Sequence, residues 1–388
     1  MKKKIAILGS TGSIGKTLIE VVKNDKKNFE IILLTTNENI NELISQVKKF
    51  NVRNIIITNH KKFLLIKKIF KKNKINIFND FSQINNILKN IKLDYTMNAI
   101  SGIHGLDPTL KIIKFTKKIA IANKESIICG WSLIKKELKK NYTNFIPVDS
   151  EHFSIYSLMG NTTNKNVEKI FITASGGPFK SYPLNKFKLI TPKLALNHPN
   201  WKMGKKITID SATMMNKVFE IIEAKKIFDI KYEKLSILVH PKSYVHAIVK
   251  FNNGLIKMLI HDTNMTIPIF NSIYSNNEKK IKSNNLNLSI INNLRFDRVD
   301  RKRFPIIKLL DKLPEKDSLY ETIIVSANDT LVQLFLNKKI KFTDISKKLL
   351  KIIMQDEFTR YKYIKPKNVE QILQLNNYVS LKTATLCV

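Results

Sequence analysis

Two short segments of this chain combine side chains that could do chemistry together. Pro147-Val148-Asp149-Ser150-Glu151-His152 follows an apolar stretch. On an extended segment residues two apart face the same way. Asp149 and Glu151 are therefore expected to present two carboxylates side by side. Such a pair repels itself, and a divalent cation bound through oxygen is its natural partner. A solvated strand end is the competing reading. The second segment is Ile209-Asp210-Ser211-Ala212-Thr213-Met214-Met215-Asn216-Lys217-Val218-Phe219-Glu220. It reads as a helix start capped by Asp210 or Ser211, followed by a helix. Asn216 and Lys217 lie four and three residues before Glu220 and can share its face, while Met215, Phe219 and Ile222 face a core. Glu220 can supply a third carboxylate to a metal, and Ser211, Asn216 and Lys217 can grip a phosphate. An amphipathic helix with exposed polar groups fits the same residues.

A third segment places a cofactor. Gly9-Ser10-Thr11-Gly12-Ser13-Ile14-Gly15 follows a short apolar run, with glycine at every third position. Such a turn lets backbone approach a pyrophosphate, and the helix that follows offers free N–H groups and its positive end. The spacing says dinucleotide and names no reaction.

These segments need a scaffold. Residues 4–8, 30–35, 54–58, 94–98 and 118–122 read as short buried strands. Residues 15–23, 40–50, 61–72 and 126–139 read as helices between them. That alternation predicts an α/β class with an N-terminal Rossmann-like parallel sheet. The middle, residues 150–275, is less regular and holds most of the polar motifs, as a central α+β catalytic domain would. Residues 276–299 read as a linker rich in Asn, Ser and Lys. Residues 300–388 have helical spacing, with Leu331, Leu334 and Phe335 as examples, and predict a C-terminal helical bundle. Residues 1–149 are the expected cofactor-binding domain.

The 388 residues exceed one ordinary core, and 43% hydrophobic residues are enough to fill more than one. No run is long and apolar enough to span a membrane. The start Met1-Lys2-Lys3-Lys4-Ile5-Ala6-Ile7-Leu8 stops at Gly9, too short for a signal peptide. Cys129 and Cys387 show no disulfide framework, so a reducing, cytoplasmic setting is expected. The net charge of +36 favours anionic substrates. Lysine accumulates together with Asn and Ile throughout the chain, as base composition would produce, and not in one segment. No ribonucleoprotein motif, zinc-finger spacing or basic heptad accompanies it, so no specific nucleic-acid partner is expected.

Six motifs in order complete the picture: residues 9–15, Ala122-Asn123-Lys124-Glu125-Ser126, residues 147–152, Ser175-Gly176-Gly177-Pro178-Phe179, His198-Pro199-Asn200-Trp201-Lys202-Met203-Gly204 and residues 210–217. Together they resemble the deoxyxylulose phosphate reductoisomerases, and the resemblance runs from about residue 4 to 385. It implies an NADPH- and Mg²⁺- or Mn²⁺-dependent enzyme (Co²⁺ being a further metal) that rearranges and reduces a phosphosugar, as a homodimer. It implies metal ligands at Asp149, Glu151 and Glu220. It implies a phosphate site of Ser175, Ser211, Asn216 and Lys217. Ser150 and Lys124 resemble groups contacting substrate oxygens near the metal. His198, Trp201 and Met203 resemble a flap, with His198, Lys124 and Glu151 in catalytic positions and Glu151, His198 and Glu220 also against the substrate. Cofactor contacts are implied at Thr11, Gly12, Ser13, Ile14, Asn37, Asn39, Asn123, Glu125 and Gly204.

Three places depart from the family pattern. Val218-Phe219 stands where Gly-Leu is usual, residues 262–268 match a Pro-Asp-Met-Arg-containing stretch loosely, and Asn37-Glu38-Asn39 replaces a Gly-Lys-Asn-like segment. The last bears on cofactor choice: the region holds no lysine or arginine, and Glu38 either repels a 2′-phosphate or points to solvent, while Thr36, Asn37 and Asn39 can donate to it. NADPH is therefore expected to be preferred by a smaller margin than a lysine at 38 would give. The rival readings are a metal-free dehydrogenase of similar plan and a basic binding protein on a relic fold. The two carboxylate motifs argue against the first, and motifs intact along the whole chain against the second.

Overall fold

The computed structural model describes residues 1–72, 74–201, 203–274 and 279–387. Lys202, within the flap motif, and residues 276–278 of the expected linker lie outside them. The chain divides into two compact units, Met1–Ile127 with Ser132–Asp149 and Met265–Ile281, and Ile128–Trp131 with Ser150–Asn264 and Lys282–Val388.

The first unit holds seven parallel strands: β1 (Lys3–Leu8), β2 (Phe29–Thr36), β3 (Asn54–Ile57), β4 (Asn76–Phe78), β5 (Leu93–Asn98), β6 (Thr116–Ile121) and β7 (Asn144–Pro147). Their order is β4-β3-β2-β1-β5-β6-β7. Strand order reverses direction at β1, between β2 and β5, and the crevice beyond the carboxyl ends of such neighbours is where doubly wound sheets bind ligands. Ile5, Ile7, Leu34, Ile55, Ile57 and Met97 are buried in one core, as near-continuous apolar runs of a covered parallel sheet must be. All five expected strands form. The two that sequence reasoning missed, β4 and β7, are the edges of the sheet. β4 has three residues and none is buried. The expected helix at 61–72 runs His60–Ile69.

The helix Thr266–Ile273 belongs to this unit, although its sequence position puts it with the middle segment. Ile269 and Ile273 are buried in the same core as Ile5 and Ile7. The Tyr95 and Ser272 hydroxyls lie 2.7 Å apart, and Tyr274 Oη donates to Asp25 Oδ2 at 2.8 Å. Burying two isoleucine side chains contributes roughly 3–6 kcal/mol, more than local chain continuity supplies.

The second unit holds a mixed sheet of β8 (Val167–Ala174), β9 (Leu235–Val239), β10 (Val245–Phe251), β11 (Ile256–Ile260) and β12 (Asp297–Arg298), in the order β11-β10-β8-β9-β12. β8 and β9 are parallel, and the remaining pairs are antiparallel. The helix Met215–Phe228 packs Ile221 and Ala224 against Ile170, Ile172 and Val249 of this sheet. It is buried nearly all round, and its Asn216, Lys217, Glu220, Glu223 and Lys226 are buried too. Polar groups in such a place must find partners. The C-terminal helices Tyr320–Leu336, Phe342–Ile353, Asp356–Thr359 and Val369–Cys387 form the expected helical region, with Leu331, Leu334 and Phe335 buried.

Candidate active site

The segment after β7 does not stay extended. Ser150–Met159 is a helix and Glu151 lies in its first turn. Asp149 and Glu151 therefore do not share a strand face as the sequence suggests. They converge because Asp149 is the last residue before the helix and Glu151 projects from its start. One ligand atom each of Asp149, Glu151 and Glu220 lies within 4.8 Å of the other two, and the same holds for Asp149, His152 and Glu223. Lys217 Nζ bridges Glu151 Oε1 and Glu220 Oε2, at 2.5 Å from each. Burial alone would lower the Lys217 pKa. The two carboxylates outweigh it and raise the pKa above the usual lysine value. Asn216 donates to Glu220 Oε1, and Ser150 Oγ donates to Glu151 Oε2 at 2.5 Å. Lys124 Nζ lies 3.1 Å from Asp149 Oδ2, and both are largely buried. Lys217 and Asn216, which the family resemblance assigns to the phosphate, contact the carboxylates of Glu151 and Glu220.

The segment 205–228 is two helices, not one capped helix. Lys205–Thr213 ends at Met214, which takes the left-handed conformation (φ 69°) and opens Met215–Phe228. Asp210 and Ser211 thus sit in the last turns of the first helix and cap nothing. Ser211 Oγ lies 3.0 Å from His198 Nε2, and Ser175 Oγ lies 3.3 Å from the same nitrogen. The backbone N–H groups of Asn200 and Trp201 both donate to His198 Nδ1, at 3.2 and 3.0 Å. Nδ1 is therefore the acceptor, and the imidazole proton sits on Nε2. Burial, followed by the charge of Lys217, pushes the His198 pKa down to about 4. A neutral His198 thus donates between two serine hydroxyls. Ser175 Oγ also accepts from Gly177 N at 3.0 Å. Its lone pairs are engaged, so its own proton is left to point outward, as an anion requires.

In the first unit, Gly9 has φ +77°, and a Cβ on Gly15 would stand 2.6 Å from Ser10 Cα. Only glycine lets the turn fold back on its helix. Gly12 caps the helix Ser13–Lys23, and Gly12 and Ser13 are exposed at its positive end, with Ile14 half-buried. Gly9 N donates to Thr35 Oγ1 at 2.8 Å, and the Thr11 and Thr36 hydroxyls lie 2.6 Å apart, which ties the turn to the end of β2. Asn39 caps the helix Ile40–Phe50, Asn37 accepts from Thr58, and Glu38 Oε1 accepts from Asn59 at 2.6 Å. Asn123 caps the helix Lys124–Lys140 and donates to the carbonyls of Ile100 and Gly102; Glu125 lies buried in the first turn of that helix. Gly204 caps Lys205–Thr213 from an exposed position.

Known proteins match this arrangement over its whole length. The 1-deoxy-D-xylulose 5-phosphate reductoisomerase profile matches residues 5–130, the C-terminal domain profile of that enzyme matches 145–228, and a further DXP reductoisomerase C-terminal domain profile matches 261–380. The 1-deoxy-D-xylulose 5-phosphate reductoisomerase of Pelagibacter ubique is 63% identical over 100% of both chains. The chain belongs to the 1-deoxy-D-xylulose 5-phosphate reductoisomerase family. The family enzyme of Sulfurihydrogenibium is 37% identical over 92% of each chain. A solved Zymomonas mobilis reductoisomerase in complex with NADPH is 30% identical, with a TM-score of 0.88, over 100% of this chain and 99% of that one. A DOX-P reductoisomerase complex with NADPH, fosmidomycin and magnesium has a TM-score of 0.90 at 28% identity, over 99% and 98%.

The reductoisomerase motifs explain less of this site than its burial does. Val218 and Phe219, which replace the usual Gly-Leu, are fully buried, and Phe219 carries Lys206 Nζ 4.9 Å above its ring. Both side chains pack into core on the helix that carries Asn216, Lys217 and Glu220. Sequence reasoning missed Glu223, which lies 3.4 Å from His152 Nδ1, and Lys226. Both follow Glu220 at three-residue steps among Ile and Ala. Charged residues repeating inside an otherwise apolar helix were the available signal.

Proposed function

We infer that this chain converts 1-deoxy-D-xylulose 5-phosphate to 2-C-methyl-D-erythritol 4-phosphate, using NADPH and a divalent metal. The observation that carries the reading is 63% identity along the entire length of a reductoisomerase, joined to three carboxylates whose ligand atoms lie within 4.8 Å of one another. The donor set is oxygen from Asp149, Glu151 and Glu220, which suits Mg²⁺ or Mn²⁺. An ammonium already answers Glu151 and Glu220, so this cluster accepts positive charge. The glycine turn at the sheet's switch point fits a dinucleotide.

When bound, the divalent cation supplies Lewis acidity to the neighbouring oxygens of the sugar, and the reduced nicotinamide supplies the hydride. The chain's own residues do the rest. Ser175 and Ser211, with protons directed by the neutral His198, bind the phosphate. That grip, remote from the reacting carbons, orients the substrate. Lys217 keeps Glu151 and Glu220 charged and aligned, and its ammonium adds positive potential beside the phosphate serines. Lys124 holds Asp149, and in this reading it contacts the substrate's oxygens, as does Ser150. His198, Trp201 and Met203 close over the bound sugar. The carbon skeleton rearranges by a retro-aldol and aldol sequence, and the resulting aldehyde is reduced.

A cytoplasmic homodimer belongs to the same reading. Cys129 and Cys387 are free thiols, and no helix among the described residues is long and apolar enough to cross a membrane. Leu255, Ile256 and Met258 are exposed on or beside the edge strand β11, which a second copy would cover. The test of the site is Glu220→Gln, which keeps shape and removes a charge. The Mg²⁺ concentration for half-maximal turnover should rise at least about ten-fold, with NADPH affinity unchanged. An unaltered metal requirement would remove Glu220 from the ligand set.

A further inference from the structure

The C-terminal part of the chain places two polar side chains behind the serines that the proposed reaction uses. Asn328, in the helix Tyr320–Leu336, donates from Nδ2 to Asp210 Oδ1 at 2.8 Å, and both residues are buried. Lys206 Nζ lies 3.0 Å from the other oxygen of Asp210. Asp210 immediately precedes Ser211, and consecutive helix positions point about 100° apart. The carboxylate can therefore be pinned to the C-terminal helix while the hydroxyl faces His198. Arg303 does the equivalent for the other serine. Its Nη1 donates to the carbonyls of Phe179 at 2.9 Å and Tyr182 at 2.5 Å, in the loop that starts at Ser175. Asp300 Oδ1 accepts from the backbone of Lys302 and Arg303, which fixes the turn presenting that guanidinium.

The two held segments also touch each other. Gly177 has φ +64°, and a Cβ there would stand 2.9 Å from the Ser211 carbonyl oxygen. Ser175 and Ser211 share one imidazole N–H. The gap between their hydroxyls is thus set from behind on both sides. Directed hydrogen bonds fix orientation in a way that apolar packing does not.

We propose that Asn328, acting through Asp210, and Arg303, acting through the carbonyls of Phe179 and Tyr182, are positioning residues that set the spacing of the Ser175 and Ser211 hydroxyls for the substrate phosphate. This rests on the assignment of those serines to the phosphate.

The test uses the full-length protein with inorganic phosphate as a competitive inhibitor against 1-deoxy-D-xylulose 5-phosphate. Asn328→Ala and Arg303→Lys should each raise the phosphate Ki and the substrate KM about ten-fold, with kcat and NADPH KM within about two-fold of the parent. Arg303→Lys keeps the charge, but its shorter side chain falls short of the position from which Nη1 donates to both carbonyls. Asn328→Ser is the milder variant should Asn328→Ala not fold, and it should give a smaller shift of the same kind. The double variant Asn328→Ala/Ser211→Ala should show no larger a Ki than Ser211→Ala alone, because both act on one hydroxyl. A fall in kcat with unchanged Ki would mean the contacts merely stabilise the fold and would overturn the proposal. An unchanged Ki in Ser211→Ala would instead overturn the phosphate site itself.

Discussion

Replacing Lys226 by methionine should destabilise the second unit far more than a surface lysine would. Lys226 sits on the helix that carries Asn216, Lys217 and Glu220, and its side chain is 2% exposed. Nζ lies 2.6 Å from Asp317 Oδ1 and 2.9 Å from Glu321 Oε1, and Glu321 is itself 1% exposed. At an effective dielectric of about 20, each contact is a gross attraction of roughly 6 kcal/mol, offset by the desolvation of three charges. Removing the cation removes the attraction and leaves Glu321 buried. The Ser318 N–H and hydroxyl still donate to it at 3.1 and 2.6 Å, and Asp317, at 26% exposure, can draw in water. Breaking a buried pair in this way costs about 3–5 kcal/mol. For a unit of this size that is a fall in Tm of roughly 6–20 °C, measured by calorimetry. The gap also depends on pH. Burial raises the Asp317 pKa, but Lys226 outweighs it and holds it below the usual carboxylate range. Its contribution is present above the unfolded value and is lost as pH falls through the folded one. The difference between parent and variant should therefore narrow in acid. A Tm fall under about 2 °C at neutral pH would refute the view that this pair anchors the ligand-bearing helix.

Two further outcomes follow. His198, with a pKa lowered to about 4, stays neutral at working pH; its contribution to stability is present above about 6.5 and declines as pH falls toward 4, and an NMR titration midpoint near 6.5 would contradict the lowering by burial and Lys217. Glu38 is exposed and tied to Asn59, so Glu38→Lys should raise kcat/KM for NADPH much more than for NADH; an unchanged ratio would show that position 38 does not face the ribose phosphate.

The parallel sheet was legible because its central strands are apolar runs punctuated by glycine turns and capped helices. Its edges were not, since β4 and β7 are only three and four residues long and β4 buries none of its residues. The carboxylates at 149, 151 and 220 were expected together from their spacing and the family resemblance, and the local geometry that brings them together was misjudged. A strand reading brought Asp149 and Glu151 together for the wrong reason, because it passed over the helix-start signal of Asp149 just before Ser150 with Glu151 in the first turn. The break at Met214 was equally hidden. A left-handed methionine has no sequence signature, and tertiary packing holds it. The contact of Lys217 with Glu151 was hidden because the two stand 66 residues apart on different helices, whereas Glu220 lies one turn along the same helix. His198 could be placed from its motif, but its tautomer required the two N–H groups that point at Nδ1.

The central claim is that this chain rearranges and reduces its phosphosugar with help from a metal held by Asp149, Glu151 and Glu220. The most direct measurement follows NADPH oxidation with 1-deoxy-D-xylulose 5-phosphate in metal-stripped protein, before and after Mg²⁺ is added. Turnover should be absent without the metal and restored by it, with one NADPH consumed per 2-C-methyl-D-erythritol 4-phosphate formed. Full turnover in the stripped protein, or none after Mg²⁺ is restored, would contradict the account.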